Sequence, residues 1–427
     1  MSPGNRCSPS MSDLVEALWS LGDGPALPAT LLGIGPVSEN TVRAALEAGR
    51  EGDFPVIFIA SRNQVDRSEL GGGYVQGWDQ QGLGAAIRRF AAQTGFSGLL
   101  YVCRDHGGPW QRDDEYQARL PLGQAMASAI ASYQEDIAAG FDVLHIDPTR
   151  DPFADGPVSI GVAAERVLEL MRECQRCRQQ SNAGSLSYEV GTEESAGGIS
   201  DPGDFEAFLA TLLRRLDQAG LPRPAFVVGQ TGTLLRMRQN VGAYNAQAAR
   251  TLAAIARRYG LGLKEHNADY LSADDLQQHR AWGITGVNVA PAFGHAETAA
   301  CLELAALERQ HVARPSGFAR LLQDAAWACG RWRKWLLPEH KGLGDDAVCA
   351  DPDLLREAVV VSGHYVLDQP DVSAARQRMY QNLHAAGIAP DPERYVLERI
   401  RDDILGYARP LGLIGLTSKL RQALGAH

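Results

Sequence analysis

Short apolar runs alternate with longer amphipathic segments from about residue 29 to residue 290. The apolar runs have the length of β-strands, and the segments between them show the spacing typical of surface helices. The predicted strands are 29–34, 55–60, 98–103, 142–146, 185–190, 225–228, 261–265 and 286–290. Strands that alternate with helices predict βαβ units and a parallel sheet. Eight such units favour a closed (β/α)8 TIM barrel, an α/β fold, over an open sheet.

The helices predicted between these strands are 40–48, 82–92, 123–139, 162–178, 202–216, 246–259 and 273–281. Beyond about residue 315 the alternation stops, and a Trp-rich helix is predicted over 317–337, followed by helices at 354–365, 372–386 and 395–405. We therefore expect a disordered leader over 1–11, a barrel over 12–314 and a helical extension over 315–427 that packs on the barrel. The aromatic residues of the extension also suit packing on a neighbouring subunit, so a homo-oligomer is an expected assembly.

Composition and charge argue against several classes of protein. The chain has 41 basic and 51 acidic residues, a net charge of −10, and no Lys/Arg-rich tract, so we expect no nucleic-acid partner. No run approaches the length of a membrane-spanning helix, so no membrane partner is expected. The first ten residues lack the apolar core of a signal peptide. Seven cysteines without a disulfide-type spacing favour a cytoplasmic protein with free thiols.

The sequence contains none of the short motifs of several large enzyme classes. It has no GxxxxGK[ST] loop, no GxGxxG after a strand and no GxSxG elbow, so we do not expect a kinase, a nicotinamide enzyme or a serine hydrolase. Cys174 and Cys177 form a single CxxC inside a predicted helix. Because no second pair lies nearby, we interpret them as helix thiols rather than as a metal site.

Polar residues collect at the C-terminal ends of the predicted strands, where a barrel of this type carries its reactive groups. In strand order they are Asn63, Gln64, Asp105, His106, Asp147, Glu189, Glu193, Gln230, His266, Asp269 and Asn288. Two histidines from different strands, His106 and His266, and the Glu189 carboxylate predict a divalent metal, best matched by zinc. Such a metal acts as a Lewis acid, and Asp105 is then the acid/base that moves a hydroxyl proton during C–C cleavage. The alternative for Asp105 and His106 is an ordinary hydrogen-bonded turn.

Several segments resemble the signature blocks of the GatZ/KbaZ-like family. They are Ser-Arg-Asn-Gln-Val at 61–65, Asp-His-Gly-Gly-Pro at 105–109, Leu-Ser-Tyr-Glu-Val-Gly-Thr-Glu at 186–193, Glu-His-Asn-Ala-Asp-Tyr at 265–270 and Pro-Leu-Gly-Leu-Ile at 410–414. Members of this family are described as the non-catalytic subunit of class II D-tagatose-1,6-bisphosphate aldolase. The resemblance implies a catalytic class II aldolase subunit as partner and a sugar or sugar phosphate as ligand.

The same segments are similar to those of the catalytic class II ketose-bisphosphate aldolases. That resemblance implies that Asp105 donates the proton, that His106 and His266 bind the metal with Glu189 close by, and that Asn288 lies near the substrate. In those enzymes a third zinc histidine follows strand six and a Gly/Ser-rich turn after strand seven holds phosphate. This chain has Gln230 at the first position and Asn-Ala-Asp at 267–269 for the second, where Asp269 disfavours phosphate by like-charge repulsion.

Three functions stay open on this evidence. The first is a partner subunit that supports a catalytic class II aldolase. The second is an independent metal-dependent ketose aldolase or C4-epimerase, and the third is a sugar-phosphate binding protein without turnover. The retained Asp105, His106, Glu189 and His266 favour a bound metal, whereas the absent third histidine and the altered phosphate turn favour the subunit. Asn63, Gln64, Asp147, Gln230, Asp269 and Asn288 are expected to bind substrate, and Glu193 is expected to be a second catalytic carboxylate.

Overall fold

Eight parallel strands close into a barrel in the computed structural model, which describes residues 9–24, 26–191 and 199–425. The strands are β1 (Leu31–Ile34), β2 (Val56–Ser61), β3 (Leu100–Gly107), β4 (Val143–Ile146), β5 (Ser187–Gly191), β6 (Phe226–Val228), β7 (Gly262–Glu265) and β8 (Ile284–Val289). Neighbours in the chain are neighbours in the barrel, and β1 pairs with β8 to close it. Every predicted strand overlaps an observed one, so the (β/α)8 prediction is confirmed.

Helices surround the barrel in the order that the amphipathic segments predict. They are α1 (Met11–Ser20), α2 (Glu39–Gly52), α3 (Gln80–Thr94), α4 (Asp113–Gln117), α5 (Leu122–Ala139), α6 (Ile160–Gln180), α7 (Pro202–Ala219), α8 (Ala246–Arg258), α9 (Ala273–Trp282) and α10 (Pro291–His311). Local capping explains where many of them begin. For example, Ser38, Asp79 and Asp201 each accept a hydrogen bond from a backbone N–H in the first turn of the helix that follows.

Strand β3 is longer than its apolar run predicts. It continues through Asp105 and His106 to Gly107, so these two residues lie in the strand rather than in the loop after it. The register between β3 and β4 shifts between Arg104 and Gly107, and this irregularity re-aims the side chains at the end of the strand. A short hairpin over residues 235–240, between β6 and α8, has no counterpart among the predicted elements.

The C-terminal extension is helical but more broken than predicted. Its helices are α11 (Phe318–Cys329), α12 (Asp345–Ala350), α13 (Pro352–Ser362), α14 (Pro370–Ala385), α15 (Pro392–Ala408) and α16 (Leu416–Gly425). The prediction of one helix over 317–337 is wrong, because Gly330 adopts a left-handed φ of 66° and ends α11. The chain continues as a short 3₁₀ segment, Arg331–Trp335. No helix of the described residues has the length and apolar character needed to cross a membrane.

The extension packs on the side of the barrel and also reaches its C-terminal face. Helix α15 lies against α2 and α10. The 3₁₀ segment joins the hairpin after β6, because Met237 N donates to Trp335 O at 2.7 Å. Trp332 is fully buried in an apolar cluster with Met237, and Trp327 stacks on it. The extension therefore contributes residues to the rim of the barrel mouth.

Candidate metal centre

Three imidazoles from three strands converge at the C-terminal end of the barrel. His106 is in β3, His145 is in β4 and His266 directly follows β7. One nitrogen of each ring lies within 4.8 Å of the corresponding nitrogens of the other two, an arrangement that could hold a metal ion. His145 and His266 are buried, while the His106 side chain is 34% exposed. The cluster is thus open to the barrel mouth on the His106 side.

Carboxylates orient the rings of His106 and His266. Nδ1 of His106 lies 2.8 Å from Asp147 Oδ2, and Nε2 of His266 lies 2.8 Å from Glu189 Oε1. Nε2 of His106 and Nδ1 of His266 then face each other at 3.2 Å. A histidine whose outer N–H is held by a carboxylate presents the lone pair of its inner nitrogen, and metal-binding histidines are usually held in this way.

The two orienting carboxylates are ionised. Burial raises the pKa of Asp147, but the hydrogen bond and charge of His106 outweigh it and hold the pKa well below its usual range. Burial likewise raises the pKa of Glu189, and the charge of Lys264 together with the hydrogen bond to His266 lowers it further than burial raises it. Both groups therefore act as hydrogen-bond acceptors toward the imidazoles.

Asp105 completes the cluster on the side of β8. Its Oδ1 accepts a hydrogen bond from Asn288 Nδ2 at 3.1 Å and lies 3.9 Å from His266 Nδ1. Burial raises the pKa of Asp105, but the charges of His106 and His266 lower it more strongly, so that the net shift is downward. Asp105 is therefore a carboxylate held beside the two facing nitrogens.

The backbone around His106 is strained into place. His106 has a φ of 43°, in the left-handed region that non-glycine residues seldom occupy. Gly107 packs against Tyr133 and the carbonyl of His145, and Gly108, with a φ of 129°, packs against the carbonyl of Asp147. A Cβ atom at either glycine would collide with these groups. The Gly-Gly pair thus allows β3 to approach β4 closely enough for His106 to reach Asp147.

Sequence reasoning missed His145. Its Nδ1 accepts the backbone N–H of His106 at 3.1 Å, and burial lowers its pKa, so the ring is neutral. The sequence offers one indication of this residue, a single histidine inside the apolar run of β4. Its side chain points into the barrel. His145 is the third imidazole of the cluster and comes from β4, whereas the position after β6 holds Gln230.

Asn63 and Gln64 follow β2, and their side chains are hydrogen-bonded to nearby backbone groups. Asn63 donates to Gln111 O at 3.2 Å and accepts from Asp113 N at 3.1 Å. Gln64 accepts from Ser61 N at 2.8 Å. These bonds tie the loop after β2 to the loop after β3. The role of the two residues in substrate binding stays a prediction.

The remaining predicted residues lie around the cluster rather than in it. Gln230 N donates to Ser200 Oγ at 3.0 Å. Asp269 is buried, and its Oδ1 accepts from the N–H groups of Ala290 and Ala292 at the start of α10. Glu193 lies outside the described residues. The structure therefore brings together Asp105, His106, Asp147, Glu189, His266 and Asn288 from the predicted set.

The donor set fits a divalent cation. Two oriented imidazoles, a third imidazole within reach and the Asp105 carboxylate are the ligand types that zinc takes in proteins, and carboxylates hold the outer nitrogens as in known metal sites. The facing nitrogens of His106 and His266 lie 3.2 Å apart. Two lone pairs at this separation require a proton or a cation between them. His106, His145, His266 and Asp105 are the residues that would hold the ion.

Fold and site together define a (β/α)8 barrel protein with a histidine–carboxylate cluster at the C-terminal ends of its strands. The chain matches the D-tagatose-1,6-bisphosphate aldolase subunit GatZ/KbaZ-like family over residues 28–392 and belongs to that family. The match includes the barrel strands and most of the extension, which confirms the resemblance of the signature segments.

Two solved structures share the fold. A crystal structure described as a probable tagatose 6 phosphate kinase from Sinorhizobium meliloti 1021 has a TM-score of 0.68 at 20% identity, with 93% of this chain and 100% of that chain covered. A fructose-bisphosphate aldolase from Campylobacter jejuni has a TM-score of 0.55 at 12% identity, with 95% of each chain covered. At these identities the likeness shows a common fold alone.

Proposed function

We propose that this protein is a tagatose-bisphosphate aldolase-type subunit whose barrel binds a divalent cation and takes part in metal-dependent retro-aldol cleavage of a ketose (bis)phosphate. One observation carries the proposal. A ring nitrogen of His106 faces a ring nitrogen of His266, and the other nitrogen of each ring is hydrogen-bonded to an ionised carboxylate. Family membership supports the class of substrate. Zinc is the proposed ion, because imidazoles dominate the donor set.

The mechanism assigns separate tasks to the residues around the cluster. A bound divalent cation would polarise the ketose carbonyl. Asp105 takes the proton from the hydroxyl group whose C–O bond becomes a carbonyl as the C–C bond breaks, and the electron pair of that C–C bond passes to the ketose carbonyl. Asn288 Nδ2 holds Oδ1 of Asp105 and thereby fixes the orientation of this carboxylate. Asp147 and Glu189 keep the His106 and His266 rings in one tautomer.

A second proposal concerns a partner. The family description names a subunit, and Gln230 stands where the resemblance to the catalytic enzymes implies a zinc histidine. These two observations favour a chain that associates with a catalytic class II aldolase and supports its activity. In that case the cluster would bind an ion and a sugar phosphate with little turnover of its own.

The deciding experiment is metal analysis of the purified chain, followed by retro-aldol and epimerisation assays on tagatose and fructose phosphates. The His106→Ala variant should lose tight metal binding, while His311→Ala, a change at an exposed histidine of α10, should keep it. Metal content that is the same in His106→Ala as in the unmodified chain would refute the metal centre. Stoichiometric metal without turnover, together with a rate increase in an added class II aldolase, would support the partner subunit over the independent enzyme.

A further inference from the structure

Three cations, Arg150, Arg331 and Lys334, lie at the rim of the barrel mouth, and two of them flank the carboxylate of Asp113. Arg150, in the loop after β4, lies 3.4 Å from Asp113 Oδ1, and Arg331, in the 3₁₀ segment of the extension, lies 3.9 Å from Asp113 Oδ2. Lys334 and Arg331 both lie over the ring of Tyr365, at 5.4 and 4.6 Å. This local excess of positive charge stands out in a chain whose net charge is −10.

Aromatic rings hold the two arginines by their faces. The Arg331 guanidinium lies 4.6 Å from the centre of Tyr365 and 5.4 Å from that of Tyr74, and Arg150 lies 4.2 Å from that of Tyr116. A ring that contacts the face of a guanidinium does not use the N–H groups at its edge, and these groups can bind an anion. The Arg331 side chain is 31% exposed, so its edge is reachable from solvent.

The carboxylate between the arginines holds them only loosely. The Asp113 contacts of 3.4 and 3.9 Å are longer than the roughly 2.7–2.9 Å of a strong charge-assisted hydrogen bond. Asp113 itself is 36% exposed. An incoming phosphate or carboxylate can therefore compete for the arginines.

Hydrogen bonds connect this rim to the metal centre. Arg150 donates to Gln111 O at 3.4 Å, and Gln111 Nε2 donates to Asp147 O at 3.5 Å. Asp147 in turn holds His106. Arg150 also follows Asp147 by three residues in the same loop. Arg150 is thus linked through Gln111 to the residue that holds His106, and Asp113 lies between Arg150 and Arg331.

We propose that Arg150, Arg331 and Lys334 form a binding site for the anionic end, phosphate or carboxylate, of an open-chain sugar whose carbonyl lies at the metal centre. The identity of the ligand as a sugar rests on the proposed function. The barrel supplies one arginine and the extension supplies the other two cations, so the extension is part of the substrate site. The site is separate from the turn at 267–269.

The test is calorimetric titration of the full chain with inorganic phosphate, then with a ketose phosphate, the matching free ketose and a hexuronate. Arg331→Met and Arg150→Met should each weaken phosphate binding by at least about 10-fold. Arg320→Met is the matched control, because Arg320 lies in the same extension with an 87% exposed side chain. Lys334→Met changes an exposed side chain and should weaken binding without affecting the fold.

Phosphate affinity in Arg331→Met and Lys334→Met equal to that of the unmodified chain would overturn the site. Preference for the ketose phosphate over the free ketose identifies phosphate as the ligand group, and preference for the hexuronate identifies carboxylate. Metal content, measured on the same samples, should be equal in all variants. A chain that lacks metal but binds phosphate through Arg331 would overturn the metal centre and leave the anion site standing.

Discussion

Lys264 Nζ lies 2.6 Å from Glu189 Oε2 inside the barrel, and the two side chains are only 6% and 2% exposed. Burial lowers the pKa of Lys264, but the charges of Glu189 and Asp105 raise it above its ordinary value, so the lysine is protonated. The other oxygen of Glu189 holds Nε2 of His266. A cation from β7 thus neutralises the carboxylate that orients a proposed metal ligand.

Replacing Lys264 with Met should leave Glu189 as an uncompensated charge in the barrel. Removal of one partner of a buried ion pair costs about 3–5 kcal/mol, so the free energy of unfolding measured in urea should fall by that amount. The Lys264→Met/Glu189→Gln double variant should recover part of the loss, because no lone charge is then buried. Lys419→Met, at an exposed lysine of α16, should have no effect. A double variant that is as unstable as the sum of both single changes would contradict the coupling.

Asp147→Asn should weaken metal binding without removing any proposed metal ligand. The amide cannot act as an ionised acceptor for His106 Nδ1, and loss of such an outer partner typically costs about 10- to 100-fold in metal affinity. Competition with a chelator measures the change. Asp155→Asn, at an exposed position of the same loop, is the control and should bind metal normally. Equal affinity in the two variants would show that Asp147 does not orient the ligand.

The fold was predictable because the barrel strands are bounded by turns and separated by amphipathic helices of sufficient length. Where the prediction failed, a single residue decided the structure. Gly330 ends α11 although the apolar and aromatic pattern continues to Leu337. In its left-handed conformation the backbone N–H of Gly330 bonds a carbonyl in the last turn of the helix. The apolar and aromatic pattern contains no information about this conformation. The path of β3 through His106 depends on its register with β4, which is a tertiary property.

The site was predictable where its residues end strands, since all parallel strands of a barrel deliver their C-terminal ends to one face. Asp105, His106, Asp147, His266 and Asn288 meet for that reason. His145 and Lys264 were missed because they lie within apolar runs. In such a run the sequence does not show which residue a polar side chain contacts. Only the closed barrel shows that Lys264 faces Glu189 across the interior.

Gly108→Ala should disrupt the metal centre through the backbone. Gly108 has a φ of 129°, and a Cβ atom there would collide with the carbonyl of Asp147, the residue that holds His106. We expect a loss of stability of about 1–3 kcal/mol together with weaker metal binding. Gly123→Ala is the control, since nothing lies within 4 Å of its Cβ position in α5. Thermal unfolding and metal titration of both variants measure the difference, and similar results for the two would contradict the strained approach of β3 to β4.

Asp269 should make the protein less stable as the pH rises. Burial raises its pKa to about 7, and the two backbone N–H groups at the start of α10 offset only part of that shift. In the unfolded chain the carboxyl group titrates near 3.8. The folded state therefore binds a proton that the unfolded state has released, so the stabilising contribution is complete below about pH 4 and is lost as the pH rises through 7.

Asp269→Asn isolates this contribution, because the amide oxygen can still accept from Ala290 N and Ala292 N but does not ionise. Relative to the variant, the unmodified chain should lose up to about 4 kcal/mol of stability between pH 4 and pH 8. Urea unfolding of both proteins across this range measures the difference. Asp274→Asn, in the exposed first turn of α9, should show the same pH profile as the unmodified chain. If Asp269→Asn also keeps that profile, Asp269 is ionised in the folded protein at low pH. Its contacts would then include a cation or an ordered donor that stabilises the negative charge.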